Sequence, residues 1–351
     1  MIRRLSTKRL LHPSDLVPTR EDLEVVGVFN PGAIAVGNEV VLLIRVAERP
    51  REKRSGFTAL PRWDVESGPT VDWVPEDELE LLDVRVVRRK RDGVVRLTFI
   101  SHIRVVRSAD GRSIDSVDGP RFDPQSEYEA FGVEDPRITR IGEVFYITYI
   151  AVSQHGTATA LASTRDFAGF ERHGVIFCPE NKDVVFFPER IGDEYVALHR
   201  PNAATPFTAP EMWLARSPDL FHWGRHEHFH SGGAAWETSR IGAGTPPVRT
   251  PEGWLEIYHG SRRVSGGSEV GVYSAGALLL DLNDPRRVIG RSAEPILVPE
   301  TEFEREGFVP NVVFPTGIVE REDTYLVYYG AADTATAMAE FSRNELLASL
   351  R

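Results

Sequence analysis

Apolar residues along this chain gather in short runs at strand spacing. Val40–Val46, Val94–Ile100, Glu143–Val152, Tyr195–His199, Trp254–Tyr258 and Thr324–Tyr329 are rich in Val, Ile, Phe and Tyr, and several alternate in side-chain character at period two. The pattern predicts a strand at each, with turns supplied by 29 glycines and 24 prolines. Helical periodicity is confined to the C-terminus. There Ser342-Arg343-Asn344-Glu345 has the form of a capping box ahead of Leu346, Leu347 and Leu350, which predicts one short helix.

The strands belong to a loose repeat. Each unit opens on a turn rich in Asn, Asp, Gly or Pro, followed by a strand, a short turn and a stronger apolar strand. Phe29-Asn30-Pro31-Gly32 precedes Val40–Val46, and Val133-Glu134-Asp135-Pro136-Arg137 precedes Glu143–Val152. Asp183–Pro188 precedes Tyr195–His199, Gly244-Thr245-Pro246-Pro247 precedes Trp254–Tyr258, and Val309-Pro310-Asn311 with Phe314-Pro315 precedes Thr324–Tyr329. Five units at roughly 50 to 65 residues, with a longer first interval, have the period expected of four-stranded blades repeated around an axis. The expectation is therefore an all-β chain, a single five-bladed β-propeller over residues 1–351 with a short C-terminal helix. In such an arrangement the five opening turns gather around one central pocket. The long first interval holds Arg85–Arg96, whose run Arg88-Arg89-Lys90-Arg91 is expected in a solvated hairpin turn.

Charge and composition narrow the function. The net charge of -11, from 41 Lys+Arg against 52 Asp+Glu, argues against a nucleic-acid binder, whose footprint is basic. A local cationic pocket remains compatible with it. Cys178 is the only cysteine, so no intramolecular disulfide can form. Lys8, Arg9, His12 and Asp15 interrupt the basic start, so no signal peptide is read, and no run approaches the ~18 apolar residues of a membrane span. The expected compartment is the cytoplasm, with no membrane partner.

Familiar motifs are absent. Ile241-Gly242-Ala243-Gly244 contains a Gly-x-Gly, but prolines follow where a phosphate-binding helix would begin, which excludes a dinucleotide site. His226, His228 and His230 share one face of a strand, with His222 just before, and are read as a solvated edge with no metal. The turn residues carry more. Arg45, Arg137, Lys182, Arg200 and Arg240 lie in or beside the opening segments, together with Asp135 and Asp333, and Tyr273 is nearby. Cations opposite an acid are what phosphate-dependent cleavage of a glycoside requires: guanidinium groups grip phosphate oxygens, and a carboxylic acid protonates the leaving oxygen.

At these positions the sequence resembles glycoside hydrolase family 130, the β-mannoside phosphorylases and related mannosidases. The ordered segments include Phe29-Asn30-Pro31-Gly32, Ile44-Arg45-Val46-Ala47-Glu48, Ser101-His102-Ile103-Arg104 and Gly132-Val133-Glu134-Asp135-Pro136-Arg137-Ile138. Asn181-Lys182-Asp183, Phe187-Pro188-Glu189, His199-Arg200-Pro201, Tyr273-Ser274-Ala275-Gly276, Asn311-Val312-Val313-Phe314-Pro315 and Tyr329-Gly330-Ala331-Ala332-Asp333 continue the set almost to the end. The resemblance implies a five-bladed propeller that cleaves a β-mannoside with inversion, giving α-mannose 1-phosphate, with inorganic phosphate as co-substrate and no cofactor. It implies Asp135 as the catalytic acid and Arg45, Lys182, Arg200, Arg240 and Tyr273 as phosphate ligands. Asn30, Arg137, Phe314 and Asp333 fall to the sugar. Family members often assemble as homo-oligomers. Lys182 stands where some relatives carry Arg, which keeps the charge but loses the bidentate fork.

An Asp with a reference pKa of about 3.9 is ionised at neutral pH, so an acid role for Asp135 asks for an upward shift. Glu134 and an incoming phosphate push that way, and Arg137 pushes against it. Two other readings stay open. One is hydrolysis, with Glu237 or Glu48 as the base. The other is a propeller that binds sugar without cleaving it.

Overall fold

The computed structural model describes residues 2–202, 207–263 and 270–350. It is all-β, with five antiparallel sheets that each follow the chain as a meander and two smaller sheets beside them. The first sheet runs Leu23–Val36, Glu39–Pro50, Ile100–Ser108 and Arg121–Phe122. The second is Gly132–Ile141, Val144–Ser153, Gly156–Thr164 and Glu171–Phe177, and the third is Asn181–Phe186, Tyr195–Pro201, Met212–Ser217 and Gly224–His230. The fourth is Arg240–Ala243, Trp254–Arg262, Val272–Leu280 and Val288–Arg291, with Val248–Arg249 continuing its leading edge. The fifth takes Val313–Arg321, Thr324–Ala331 and Ala335–Ser342, and its outer strand is Ser6–Leu11 from the other end of the chain.

The apolar runs are strands buried on both faces, and alternate residues serve different neighbours. Val41 and Leu43 pack with Ile138 and Ile147 of the second sheet, whereas Val40, Leu42 and Ile44 pack with Leu326 and Tyr328 of the fifth. Similar cores join the second sheet to the third, the third to the fourth and the fourth to the fifth. Each fully buried Val or Ile contributes about 1.5–3 kcal/mol. Five such interfaces therefore supply the bulk of the driving force.

Val94–Ile100, expected as one strand, is divided. Val95–Leu97 closes a three-stranded sheet with Leu79–Asp83 and Val86–Arg89, and Ile100 begins a strand of the first sheet. That small sheet and the hairpin Phe57–Asp64/Gly68–Pro75 are an insertion between the second and third strands of the first sheet, which explains the long first interval. Arg88, Lys90 and Arg91 are exposed, with Arg88 paired to Glu80, as a solvated turn requires. The C-terminal helix spans Arg343–Ala348. The Ser342 side chain accepts from Glu345 N–H, and Leu346, Leu347 and Leu350 are buried. Among the described residues no helix is long and apolar enough to cross a membrane.

A polar device recurs between sheets. Glu129, in the turn before the second sheet, accepts from Tyr149 Oη at 2.7 Å, from Arg172 at 2.7 Å and from the backbone N–H of Gln125 and Ser126. Glu237 meets Tyr258 and Arg291 in the fourth sheet, and Glu304 meets Tyr329 and Arg4 in the fifth. In each, one buried carboxylate ties the entry turn to the second strand and to the outer edge. Removing one partner strands the others in a low-dielectric interior, which costs far more than loss of an exposed pair. Glu129→Ala is expected to lower unfolding free energy by about 3–5 kcal/mol. Arg107→Ala, which breaks an exposed pair with Glu39 and an exposed contact with the Asp166 carbonyl, is expected to change it by no more than about 1 kcal/mol. Urea denaturation of both variants checks the difference, and equal losses would remove the triad from the account.

Candidate functional site

All five leading strands contribute to one pocket of about 180 Å³. Asn30, Asp135, Lys182, Arg240 and Phe314 reach it from the first to the fifth sheet in turn. A backbone irregularity places the first three. The ladder between first and second strands slips at Phe29/Gly32, at Glu134/Arg137 and at Lys182/Val185. Within the slips Asn30, Asp135 and Asp183 have φ of 51°, 50° and 56°. The extra residues of a bulge turn a side chain out of the pleat. Asn and Asp tolerate the left-handed conformation that this needs better than other residues with a Cβ.

Close approach of the sheets also fixes two glycines. A Cβ on Gly32 would lie 2.7 Å from the Pro136 carbonyl oxygen, and one on Gly242 would lie 2.5 Å from Asp183 Oδ2. The glycine of the rejected dinucleotide motif thus makes room for the carboxylate at the centre of the pocket floor.

The acid side is a buried cluster. Asp135 Oδ1 accepts from Asn30 Nδ2 at 2.8 Å and from Arg45 Nη1 at 2.9 Å. Arg45 also donates to Glu134 at 2.6 Å and through Nε to Ser101 at 3.0 Å, and its guanidinium lies over the Phe29 ring. Arg45, expected among the phosphate ligands, therefore has all three nitrogens committed to Ser101, Glu134 and Asp135. Burial pushes Asp135 up, but Arg45, Arg137, Lys182 and the Asn30 hydrogen bond outweigh it and hold Asp135 below the usual range. Glu134 and Asp333 are displaced the other way, chiefly by burial and with Asp135 adding to it. The upward shift asked of Asp135 is thus found on its neighbours.

The cations Lys182, Arg200 and Arg240 line the same pocket, with Tyr273. Arg200 is buried and pairs with Asp183 at 3.2 Å. Burial opposes ionisation of Asp183, yet Arg200, His259, Arg137 and Lys182 hold its pKa down to about 2. His259 is driven down to about 3 by burial, so it is neutral. Lys182 makes no ion pair among the described residues.

Arg137, expected at the sugar, lies beneath the pocket with 1% of its surface exposed. It donates to the Asp135 carbonyl at 2.8 Å, to Asp183 Oδ1 at 3.1 Å and to the Gly244 carbonyl at 3.3 Å, and sits 5.6 Å from the Phe314 ring centroid. Phe314 and Asp333 line the pocket. Arg85 was not foreseen. It arrives on the insertion and pairs with Asp333 at 2.9 Å and with Asp83 at 3.1 Å. No local pattern distinguishes it from the basic run that follows. Asp183 and His259 were also missed as site residues, although Asp183 occupies the same place in its unit as Asn30 and Asp135. The strand histidines have separate partners: His226 meets His199, and His228 meets Glu211.

Comparison with known proteins agrees with this geometry. A family described as beta-1,4-mannooligosaccharide phosphorylase matches residues 74–351. The chain is 38% identical over 355 residues to a beta-1,2-mannobiose phosphorylase of Listeria innocua, covering 99% of this chain and 98% of that one. The structure of that Listeria innocua phosphorylase with beta-1,2-mannobiose superposes with a TM-score of 0.90, covering 99% of both chains. A 1,2-beta-oligomannan phosphorylase of Thermoanaerobacter is 39% identical over 245 residues, covering 69% of this chain and 78% of its own. With a family match over most of its length and a relative of this similarity from end to end, the chain belongs to glycoside hydrolase family 130.

Proposed function

We propose that this protein is an inverting β-mannoside phosphorylase whose five sheets are the blades of one five-bladed β-propeller over residues 1–351. The ring of cores, which joins each sheet to the next and the fifth back to the first, supports the propeller. The observation that carries the activity is one pocket that holds Asp135 together with Lys182, Arg200 and Arg240, with Lys182 making no ion pair among the described residues. The relatives that cover this chain most fully are named as phosphorylases of β-linked mannosides, and beta-1,2-mannobiose is the substrate to test first.

Lys182, Arg200, Arg240 and Tyr273 hold inorganic phosphate against the face of the mannose opposite Asp135. Phosphate oxygen attacks the anomeric carbon as the bond to the leaving sugar breaks, and inversion gives α-mannose 1-phosphate. Asp135 supplies the proton that the leaving oxygen takes up. Its Oδ1 is held by Asn30 and Arg45, which leaves Oδ2 for substrate. In the free enzyme Asp135 is ionised. Phosphate brings negative charge into the pocket, and this favours its protonated form. Arg45 fixes the acid, and Arg137 fixes the backbone beneath it.

Hydrolysis lacks support in the geometry. Glu237 is engaged by Tyr258 and Arg291, Glu48 by Thr19, and neither lines the pocket. With beta-1,2-mannobiose and a β-1,4-linked control, α-mannose 1-phosphate is expected to form only when phosphate is present. Release of mannose at the same rate without phosphate would establish a hydrolase instead.

Lys182→Met isolates the phosphate contribution, because among the described residues no ion pair is lost with it. One charge-assisted contact is worth about 1.5–3 kcal/mol, so the phosphate KM is expected to rise roughly ten- to a hundredfold with little change in melting temperature. An unchanged phosphate KM removes Lys182 from the anion site.

Asp135→Asn keeps shape, and Asn suits the left-handed backbone at this position. It cannot deliver a proton. The expected kcat is about a hundred- to ten-thousandfold lower in phosphorolysis and in synthesis from α-mannose 1-phosphate. Steady-state rates of the folded variant in both directions measure it, and near-normal turnover would exclude Asp135 as the acid.

A further inference from the structure

Glu256 is a buried acid that this mechanism does not use. It lies on the second strand of the fourth sheet, facing the break in the leading strand between Ala243 and Val248. None of its surface is exposed. Among the described residues Oε1 accepts from the Gly244 N–H at 3.2 Å, an N–H shared with the Ile257 carbonyl at 3.1 Å, Oε2 has no hydrogen-bond partner, and the carboxyl makes no ion pair. The charged group facing it is Arg137, which the Asp135 and Gly244 carbonyls and the Asp183 carboxylate already engage. On its own strand the nearest titratable site group is His259, which faces Asp183 and Arg200. A carboxylate left without a counter-ion in such a place takes up a proton.

We propose that Glu256 is a positioning residue for phosphorolysis, held as a neutral carboxylic acid. By accepting from Gly244 N–H, alongside the Ile257 carbonyl, it helps to fix the residue whose carbonyl anchors Arg137. Arg137 in turn fixes the Asp135 backbone on the acid side and the Asp183 carboxylate on the phosphate side. Neutrality matters to this task. An ionised Glu256 would compete with Asp183 for the guanidinium and draw it away from the pocket floor. The inference rests on the phosphorylase reading for its effect on turnover, but the protonation state is tested without it.

Burial raises the Glu256 pKa well above 4.5 in the folded protein. Wild-type stability therefore declines relative to a variant that cannot ionise as pH rises from about 4.5 towards the folded-state value. Glu256→Gln and Glu256→Leu, compared with the full-length wild type, test the proposal. The melting temperature of Glu256→Gln minus that of wild type is expected to increase between pH 5 and pH 8. Its kcat with beta-1,2-mannobiose and phosphate is expected to stay within about threefold of wild type, because the amide oxygen still accepts from Gly244. Glu256→Leu removes the side-chain acceptor and leaves the Gly244 N–H to the Ile257 carbonyl alone, and its kcat is expected to fall at least about tenfold while its phosphate KM rises.

A melting difference independent of pH, or a Gln variant as slow as the Leu variant, overturns the neutral acid. A folded Leu variant with wild-type kcat overturns the positioning role. If Glu256→Leu does not fold, the pH trend and turnover of Glu256→Gln decide. If wild type turns over no β-mannoside, the functional reading fails, whereas the melting comparison still decides the protonation state.

Discussion

A guanidinium withdrawn from water must find acceptors for its donors or the structure around it rearranges, and Arg137 finds them on three different sheets. Its contacts with the Asp135 carbonyl, Asp183 and the Gly244 carbonyl belong to the second, third and fourth sheets, and the Phe314 ring beside it belongs to the fifth. Arg45 and Asn30 then join the first sheet to Asp135. The pocket floor is thereby closed by side chains rather than by backbone pairing, since the leading strands of neighbouring sheets do not pair with one another. Positions across the pocket are set jointly, and this is what in-line attack of phosphate opposite a proton donor demands.

Local charge differs from global charge in a way that suits an anionic co-substrate. The chain carries -11, yet the pocket is lined by the five cations Arg45, Arg85, Lys182, Arg200 and Arg240 against the four carboxylates Glu134, Asp135, Asp183 and Asp333. Formal charge at the lining is thus +1. It becomes more positive if burial keeps Glu134 or Asp333 protonated, the direction in which both are pushed. The cations differ in their partners. Arg45 and Arg85 are engaged by Glu134, Asp135 and Asp333, and Arg200 by Asp183, whereas Lys182 makes no ion pair among the described residues. The surrounding acidic surface works against phosphate capture at long range, but screening confines that effect to about a Debye length, roughly 8 Å at physiological salt.

Strands packed on both faces were legible, because Val40–Ile44 and its counterparts carry apolar residues on successive positions. The third strands were not. Ala160 and Ala162 lie opposite Tyr149 and Ile147, and Ala337 and Ala339 lie opposite Tyr329 and Val327. Alanine is required there to accommodate the large residues across the ladder, although its intrinsic preference is against strands. The site was legible where chemistry and turn residues coincide, as in Asn30-Pro31 and Glu134-Asp135-Pro136. It was not legible where a residue is delivered by an insertion, as Arg85 is. Arg45 and Arg137 were visible as cations, but a cation that binds ligand and one that binds the protein's own carboxylates have the same letter in the sequence. Only the partners distinguish them, and the carboxylates lie 89 and 90 residues from Arg45 and 46 from Arg137 along the chain.

One backbone device serves three purposes in this pocket. Asn30, Asp135 and Asp183 each occupy a bulge with left-handed φ at the same place in their sheets. Such a conformation costs of order 1–3 kcal/mol each and persists where the surroundings over-determine it. Here they do: Asn30 donates to Asp135, Asp135 accepts from Arg45, and Asp183 is engaged by Arg137 and Arg200. The repeat therefore supplies the same strained platform in three sheets, and the side chain on each decides its use. In the mechanism we propose, an amide orients the acid, one carboxylate faces the substrate, and the other holds Arg137 and Arg200. Divergence of function among equivalent positions follows from which charges the neighbouring strands place within reach, since the backbone that presents them is the same.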